Sequence, residues 1–176
     1  MATVHEIEQR LFSWAPRESA MDWDNVGHLV GDPEQEVERI LVALDITERV
    51  VQEAIDCGAQ LIVSHHPVMN VRWHEREMQS LRPDTRLGGL LTMLVKNDIS
   101  AICMHTNLDA ADGGVNDCLA KKLGLHDIFS LNDEKIGRIG TLSCEKGLEE
   151  FLRDVIELLG CGGLRYCRGS GRVQLL

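Results

Sequence analysis

A chain of 176 residues, 44% hydrophobic and 26% charged, is long enough for one globular domain or for one domain plus part of another. Its formal net charge of −10 argues against nucleic acid and anionic membranes as partners, because both are bound through basic surfaces. No apolar run approaches the roughly 20 residues of a membrane helix, and the N-terminus lacks the apolar core of a signal peptide, so a cytoplasmic location is expected.

Hydrophobic periodicity predicts alternating helices and strands along the first two thirds of the chain. A helix is expected over 4–12, and the turn-rich residues 22–33 are expected to form a loop with a short strand. Three apolar runs and three amphipathic segments follow, predicted as strands at 39–44, 61–63 and 99–104 and as helices at 48–57, 86–96 and 114–123. This alternation predicts an α/β fold with a mostly parallel sheet flanked by helices.

The pattern changes after residue 131. Strands are predicted at 137–142, 164–167 and 173–176, with an amphipathic helix at 149–159. The final apolar run has no cap or turn after it. We therefore expect two domains, an α/β domain at 1–131 and an incomplete second unit of similar α/β type at 132–176, whose unfinished sheet leaves an unpaired strand edge.

Two adjacent histidines, His65 and His66, follow the second predicted strand and precede Pro67. Ligands of parallel sheets bind beyond the carboxyl ends of the strands, and imidazole is a common ligand of transition metals. Adjacent residues within a strand face opposite ways, but both rings can turn toward one pocket where the strand ends. An isolated pair would also be explained by one ring capping a turn while the other packs in the core.

A second segment strengthens the metal interpretation. His105 and Asp109 follow the third predicted strand, and Asp45 follows the first. A carboxylate can bridge two divalent ions about 3.5–4 Å apart, and such pairs activate water for hydrolysis. Asp109 alone, or Asp112 alone, would be interpreted as a turn residue or helix cap. Together with the two adjacent histidines, these residues predict a divalent metal site, which makes 1–131 a metal-binding domain.

The remaining histidines and the cysteines carry weaker signals. His28 could line a pocket, although a surface position explains it equally well, and His5, His74 and His126 are expected at the surface. The six cysteines form no C-x-x-C pair and are expected to be reduced, buried and inert. The phosphate-loop and dinucleotide-binding glycine motifs do not occur, so nothing supports nucleotide binding through them.

Three motifs in series resemble the NIF-three-like dinuclear metal-centre family, many of whose members carry the name GTP cyclohydrolase 1 type 2 homologue. They are Asp-Trp-Asp-Asn-Val-Gly at 22–27, Ser-His-His-Pro at 64–67, and the segment 105–117 that contains His105 and Asp109. Their order and spacing cover the first two thirds of the chain. Residues 137–140 and the helix after them are similar to the start of that family's second half.

The resemblance implies a fold of two related α/β units around a dinuclear site, assembled as ring-shaped homo-hexamers. It implies that His65, His66 and Asp109 are metal ligands, and that His105 transfers protons or lies behind the ligands. The cofactors are then divalent ions, two per complete site, drawn from zinc, iron, manganese, cobalt and nickel.

The chain departs from the family in one respect. The family takes its remaining ligands, a His and a Glu four residues apart, from a segment near its C-terminus. No H-x-x-x-E pattern occurs in this chain, and His126, the one histidine after Asp109, is followed at that spacing by Ser130. We therefore expect weak or absent metal binding by a C-terminally truncated site, with water filling the open coordination positions.

Three functions follow from these residues. The first is a metal-dependent hydrolase with His105 as proton shuttle and an unidentified small-molecule substrate; the family name suggests GTP ring opening, although no residue pattern specifies a guanine. The second is a non-catalytic metal carrier, sensor or assembly scaffold, which the low aromatic content of 4% slightly favours because base-stacking residues are scarce. The third is a structural fragment that binds partners through its unfinished sheet.

Overall fold

The structure is a computed structural model that describes residues 1–69, 80–169 and 172–175, and it divides into the compact units Met1–Ala111 and Asp112–Leu176. The first unit contains, in chain order, β1 (Ala2–Thr3), α1 (Val4–Trp14), β2 (Gly27–Val30), β3 (Glu36–Val37), β4 (Ile40–Ala43), α2 (Glu48–Cys57), β5 (Leu61–Ser64), α3 (Arg86–Lys96), β6 (Ser100–Cys103) and α4 (Thr106–Ala110). A short 3-10 turn at Arg17–Ser19 follows α1.

The main sheet of the first unit has four strands in the spatial order β2-β6-β5-β4. Strands β4, β5 and β6 pair in parallel, and β2 pairs antiparallel with β6. The predicted α/β class, with a mostly parallel sheet flanked by helices, is therefore confirmed. Because the three parallel strands end at one edge, the residues that follow Ala43, Ser64 and Cys103 come together there.

Alternating side chains of the central strands form a core on each face of this sheet. Ile62 packs with Val51 of α2 and Leu94 of α3 on one face, and Leu61 packs with Val4 of α1 on the other. All five side chains are fully buried. Burial of this kind stabilises a strand from both sides, which explains why β5 is a continuous apolar run.

Local signals set the ends of α2 as predicted. The Thr47 hydroxyl accepts a hydrogen bond from the Val50 amide at 3.2 Å, which caps the first turn. Gly58 closes the helix in the left-handed region at φ +67°, where a side chain would be strained. The bounds of α3 also agree with the predicted helix.

The second unit is also a mixture of helices and strands, but its strand pairs are antiparallel. Its elements are α5 (Val115–Lys122), β7 (His126–Ser130), β8 (Arg138–Gly147), α6 (Leu148–Leu159) and β9 (Arg172–Leu175), with the strands in the order β7-β8-β9. Leu123 and Leu125 pack against the cluster of Leu142, Phe151 and Val155. A domain boundary at 131/132 remains a prediction; the compact units divide after Ala111.

Two expectations about the second half of the chain are wrong. No strand forms at 164–167, where Leu164 and Tyr166 are exposed and no neighbouring strand pairs with them. The cysteines are free as expected, but Cys118, Cys144 and Cys167 are exposed, whereas the sequence predicts buried thiols.

No helix among the described residues is long and apolar enough to span a membrane.

Candidate metal centre

Three histidines meet where the parallel strands end. His65 and His66 directly follow β5, and His105 lies two residues beyond β6. The ring centroids are 5.1 Å apart for His65 and His66, 5.2 Å for His65 and His105, and 5.6 Å for His66 and His105. One ring nitrogen from each histidine lies within 4.8 Å of the other two, so the group could hold a metal ion.

The turn after β5 allows two adjacent rings to face the same place. The Ser64 hydroxyl donates a hydrogen bond to the carbonyl of His66 at 2.8 Å, and the Cys103 thiol donates to the carbonyl of His65 at 3.1 Å. The amide of His66 donates to the carbonyl of Leu44 at 2.9 Å. These bonds fix the path of the chain just past the end of β5. Adjacent side chains within a strand face opposite sides of the sheet, but His65 and His66 lie beyond the strand, so both imidazoles can face one place.

Each of the three rings is oriented through its Nδ1 atom. The acceptors are the Met104 carbonyl at 3.0 Å from His65, an Asp45 oxygen at 2.8 Å from His66, and both Asp24 oxygens at 2.9 and 3.0 Å from His105. A neutral imidazole that donates from Nδ1 keeps its lone pair on Nε2. A carbonyl or carboxylate behind Nδ1 is the usual arrangement behind metal-binding histidines, so the donor set fits a divalent ion.

Asp109 places an oxygen beside one of these nitrogens, that of His65. The sequence predicts a loop here, but His105 instead directly precedes the short helix α4, and its carbonyl accepts a hydrogen bond from the Asp109 amide at 3.0 Å, one turn later. The Asp109 Oδ1 atom lies 3.8 Å from His65 Nε2, and both side chains are mostly buried. Because metal–nitrogen and metal–oxygen bonds are about 2.0–2.2 Å long, one ion could contact both atoms.

Asp24 is the residue behind the site that the sequence reasoning missed. Its side chain is fully buried, and besides His105 it accepts hydrogen bonds from the Thr106 amide at 3.0 Å, the Thr106 hydroxyl at 2.5 Å and the Asn25 amide at 2.8 Å. Burial raises the pKa of Asp24, but the hydrogen bonds from Thr106, His105 and Asn25 outweigh it and hold the pKa below its ordinary value. The carboxylate therefore remains ionised and accepts a hydrogen bond from the Nδ1–H group of His105.

Other residues near the cluster have different roles. Burial, together with the charge of Asp24, raises the pKa of the Cys103 thiol far above its ordinary value, in keeping with its role as donor to the His65 carbonyl. The Trp23 ring lies edge-on to His105 with centroids 6.2 Å apart. His28 instead places Nε2 at 2.8 Å from the carbonyl of Val30.

The other three histidines were expected at the surface. His5 and His126 are exposed, as expected. His74 lies outside the described residues.

Comparison with known proteins identifies relatives of this chain. It is 43% identical over 126 residues to a protein of Halalkalibacterium halodurans named GTP cyclohydrolase 1 type 2 homolog, a match that covers 72% of this chain and 32% of the relative. A protein of the same name from Clostridium perfringens is 39% identical over 158 residues, covering 86% of this chain and 58% of the relative. The chain thus spans between about a third and three fifths of the length of these two relatives.

Solved structures share the fold. A hypothetical protein from Staphylococcus aureus superposes with a TM-score of 0.88 at 28% identity, covering 98% of this chain and 70% of that one. Reduced HcgD from Methanocaldococcus jannaschii gives a TM-score of 0.75 at 30% identity, covering 89% of this chain and 60% of that one.

The family model described as Duf34/NIF3 (NGG1p interacting factor 3) matches residues 2–174. The resemblance seen in the three sequence motifs is therefore confirmed, and the chain belongs to the Duf34/NIF3 family.

Proposed function

We propose that this chain binds a divalent metal ion through the Nε2 atoms of His65, His66 and His105, with Asp109 as an oxygen ligand. The observation that carries the proposal is the shared orientation of the three rings, each held through Nδ1 so that its remaining nitrogen is available. The proposal makes His105 a ligand rather than the proton-transfer group expected from the sequence. A set of three imidazoles and one carboxylate suits zinc, iron, cobalt, nickel or manganese.

Two ions per site are proposed only for a site that has more ligands than these four side chains. Four ligands make one tetrahedral shell, and two ions need more donors than these four side chains offer. The exposed side chains of His66 and Asp45 leave this side of the cluster open to water or to further ligands. Metal binding by this chain alone is therefore proposed to stop near one equivalent.

For a protein of the full length of the curated relatives we propose metal-dependent hydrolysis, which the name of those relatives supports. A bound divalent ion supplies Lewis acidity and lowers the pKa of water. The part played by this chain is to hold neutral imidazoles in place: Asp24 and Asp45 accept hydrogen bonds from the Nδ1–H groups of His105 and His66, so the Nε2 lone pairs would be left for a bound ion.

The alternative is a metal carrier, sensor or scaffold without catalysis, for which the same ligands would serve. The two functions differ in turnover. Incubation of the metal-loaded chain with GTP, followed by chromatography of the nucleotide, should yield a ring-opened product if the hydrolase proposal holds for this chain. Unchanged GTP with full metal occupancy would favour the non-catalytic function here.

The metal proposal is tested by titrating chelator-treated protein with zinc and measuring the bound metal after dialysis. We expect about one equivalent in the wild type and at least about tenfold weaker binding in His65→Ala, His66→Ala and His105→Ala. His126→Ala is a matched control for His66→Ala, because His126, like His66, is exposed and bonds a carboxylate, here Asp127, through Nδ1 at 2.8 Å. No binding by the wild type, or an equal loss in the control, would contradict the proposal.

Assembly into homo-oligomers, with a hexamer implied by the family resemblance, is proposed as well. Sedimentation velocity of the purified chain measures it directly. A species of six chains would support the hexamer, and a concentration-independent monomer would contradict any homo-oligomer.

A further inference from the structure

Two adjacent loop residues contact both chain segments that carry the proposed ligands. The Asp24 carboxylate holds the His105 ring and the first residue of α4, Thr106. The Asn25 side-chain amide donates to the carbonyl of Met69 at 2.8 Å, three residues after His66 in the loop that leaves β5. The segment after β5 and the segment after β6 are thereby joined by one dipeptide from a distant part of the chain.

We propose that Asp24 and Asn25 act together as a positioning clip that sets the distance between the two ligand segments, and so the affinity and coordination geometry of the metal site. The inference rests on the proposed metal function and extends it. Asp24 determines the tautomer and direction of the His105 ring, and Asn25 determines the path of the chain just after His66. Neither residue is a ligand.

The hydrogen bonds that Asp24 accepts explain why the isosteric change Asp24→Asn should prevent it from positioning His105. Both of its oxygens accept from donors, namely the His105 Nδ1 group, the Thr106 amide and hydroxyl, and the Asn25 amide. The Thr106 hydroxyl in turn accepts from the amide of Met21 at 3.0 Å, which leaves its own proton for Asp24. In Asp24→Asn one oxygen becomes an NH₂ group that meets donors at either position, so the network cannot be satisfied.

Histidine tautomers in metal-free protein test the Asp24 half of the clip without any metal. Nitrogen-15 NMR of the imidazole nitrogens, recorded well above the ordinary histidine pKa of about 6.5, should show His105 as the Nδ1–H form in the wild type. In Asp24→Asn we expect a mixture of both tautomers. Asp22→Asn makes the same chemical change at an exposed position of the same loop and should leave the His105 signals unchanged.

Cobalt titration tests the consequence for the site. Visible absorption of bound Co²⁺ reports coordination geometry, and we expect Asp24→Asn to bind Co²⁺ about 10- to 100-fold more weakly with an altered spectrum. Asn25→Ala should weaken binding about 10-fold while His105 keeps its wild-type tautomer, because the contact with Met69 is lost and the Asn25 backbone amide still donates to Asp24. Thermal unfolding of each metal-free variant shows whether it is folded.

The two proposals fail in different ways. A wild type without Co²⁺ binding would reject the metal function, and the tautomer of His105 would still decide whether Asp24 positions that ring. A His105 tautomer and a Co²⁺ affinity that are both unchanged in Asp24→Asn would overturn the clip while leaving the metal function standing. Unchanged Co²⁺ affinity in Asn25→Ala would restrict the positioning role to Asp24 and overturn the clip as a pair.

Discussion

Two carboxylate–imidazole pairs flank the histidine cluster, Asp24 with His105 and Asp45 with His66. Their hydrogen bonds are nearly equal in length, 2.9 and 2.8 Å. Their surroundings differ: the Asp24 and His105 side chains are 0% and 14% exposed, whereas those of Asp45 and His66 are 53% and 45% exposed.

From this difference we expect burial and the number of donors, rather than the length of one bond, to decide how much such a pair contributes to stability. Asp24 has donors beyond the histidine, so removal of its carboxylate leaves several buried N–H and O–H groups unpaired. Water competes with Asp45 for the hydrogen bond to His66, and exposed pairs of this kind contribute little to the free energy of unfolding. The His105 ring is therefore held more firmly in the metal-free chain than the half-exposed His66 ring.

The largest expected effect comes from removing the buried carboxylate. Asp24→Ala should lower the free energy of unfolding of the metal-free protein by about 3 kcal/mol, because the Thr106 amide and hydroxyl lose their acceptor inside the protein. Urea denaturation followed by circular dichroism measures this change. Asp22→Ala, in the same loop, is the control. A loss below about 1 kcal/mol in Asp24→Ala would remove the distinction between the two pairs.

An acid titration sharpens the comparison. The pKa of Asp24 is lower in the folded chain than its ordinary value, about 3.9, so between these two values the unfolded chain binds more protons and stability rises with pH. The stability that Asp24 contributes is thus fully present above about pH 5 and is lost as the pH falls through the folded pKa.

Urea unfolding of chelator-treated wild type and Asp24→Asn, measured from about pH 3 to pH 7, tests whether folding lowers the pKa of Asp24. The difference in the free energy of unfolding between the two proteins should be constant above about pH 5 and shrink below about pH 4. A difference that grows on acidification would mean that the pKa of Asp24 is raised by folding, contrary to the network of donors around it.

The smallest effect on stability is expected at the exposed pair. Asp45→Ala should change the free energy of unfolding by less than about 1 kcal/mol, yet weaken zinc binding about tenfold because His66 loses the acceptor behind its ring. Denaturation and metal titration of the same sample separate the two effects. A stability loss equal to that of Asp24→Ala would show that exposure does not govern these pairs.

Residues that follow a strand could be predicted from the sequence, and those fixed by long-range contacts could not. His65, His66, His105 and Asp109 were found because apolar runs mark β5 and β6, and in a parallel sheet the strand ends meet. Asp24 lies in a turn-rich loop and reaches His105 across 81 positions of sequence. No local periodicity encodes that contact; the family motif at 22–27 was the one available signal.

The second unit was harder to predict for a related reason. An apolar run shows that a segment will be buried, but its strand direction depends on partners elsewhere in the chain. The strand β7 and the antiparallel pairing of β8 with β9 were not foreseen. The helix α6 was, because Phe151 and Val155 stand at helical spacing on its buried side.

The location of a bound ion tests the central claim most directly. Crystals of the chain grown with Co²⁺, with anomalous diffraction data collected at the cobalt absorption edge, place the metal independently of any assay. A single anomalous peak about 2.0–2.2 Å from the Nε2 atoms of His65, His66 and His105 is the predicted result. The absence of an anomalous peak at the three histidines, or a peak only at another place on the chain, would contradict the assignment of these residues as a metal site.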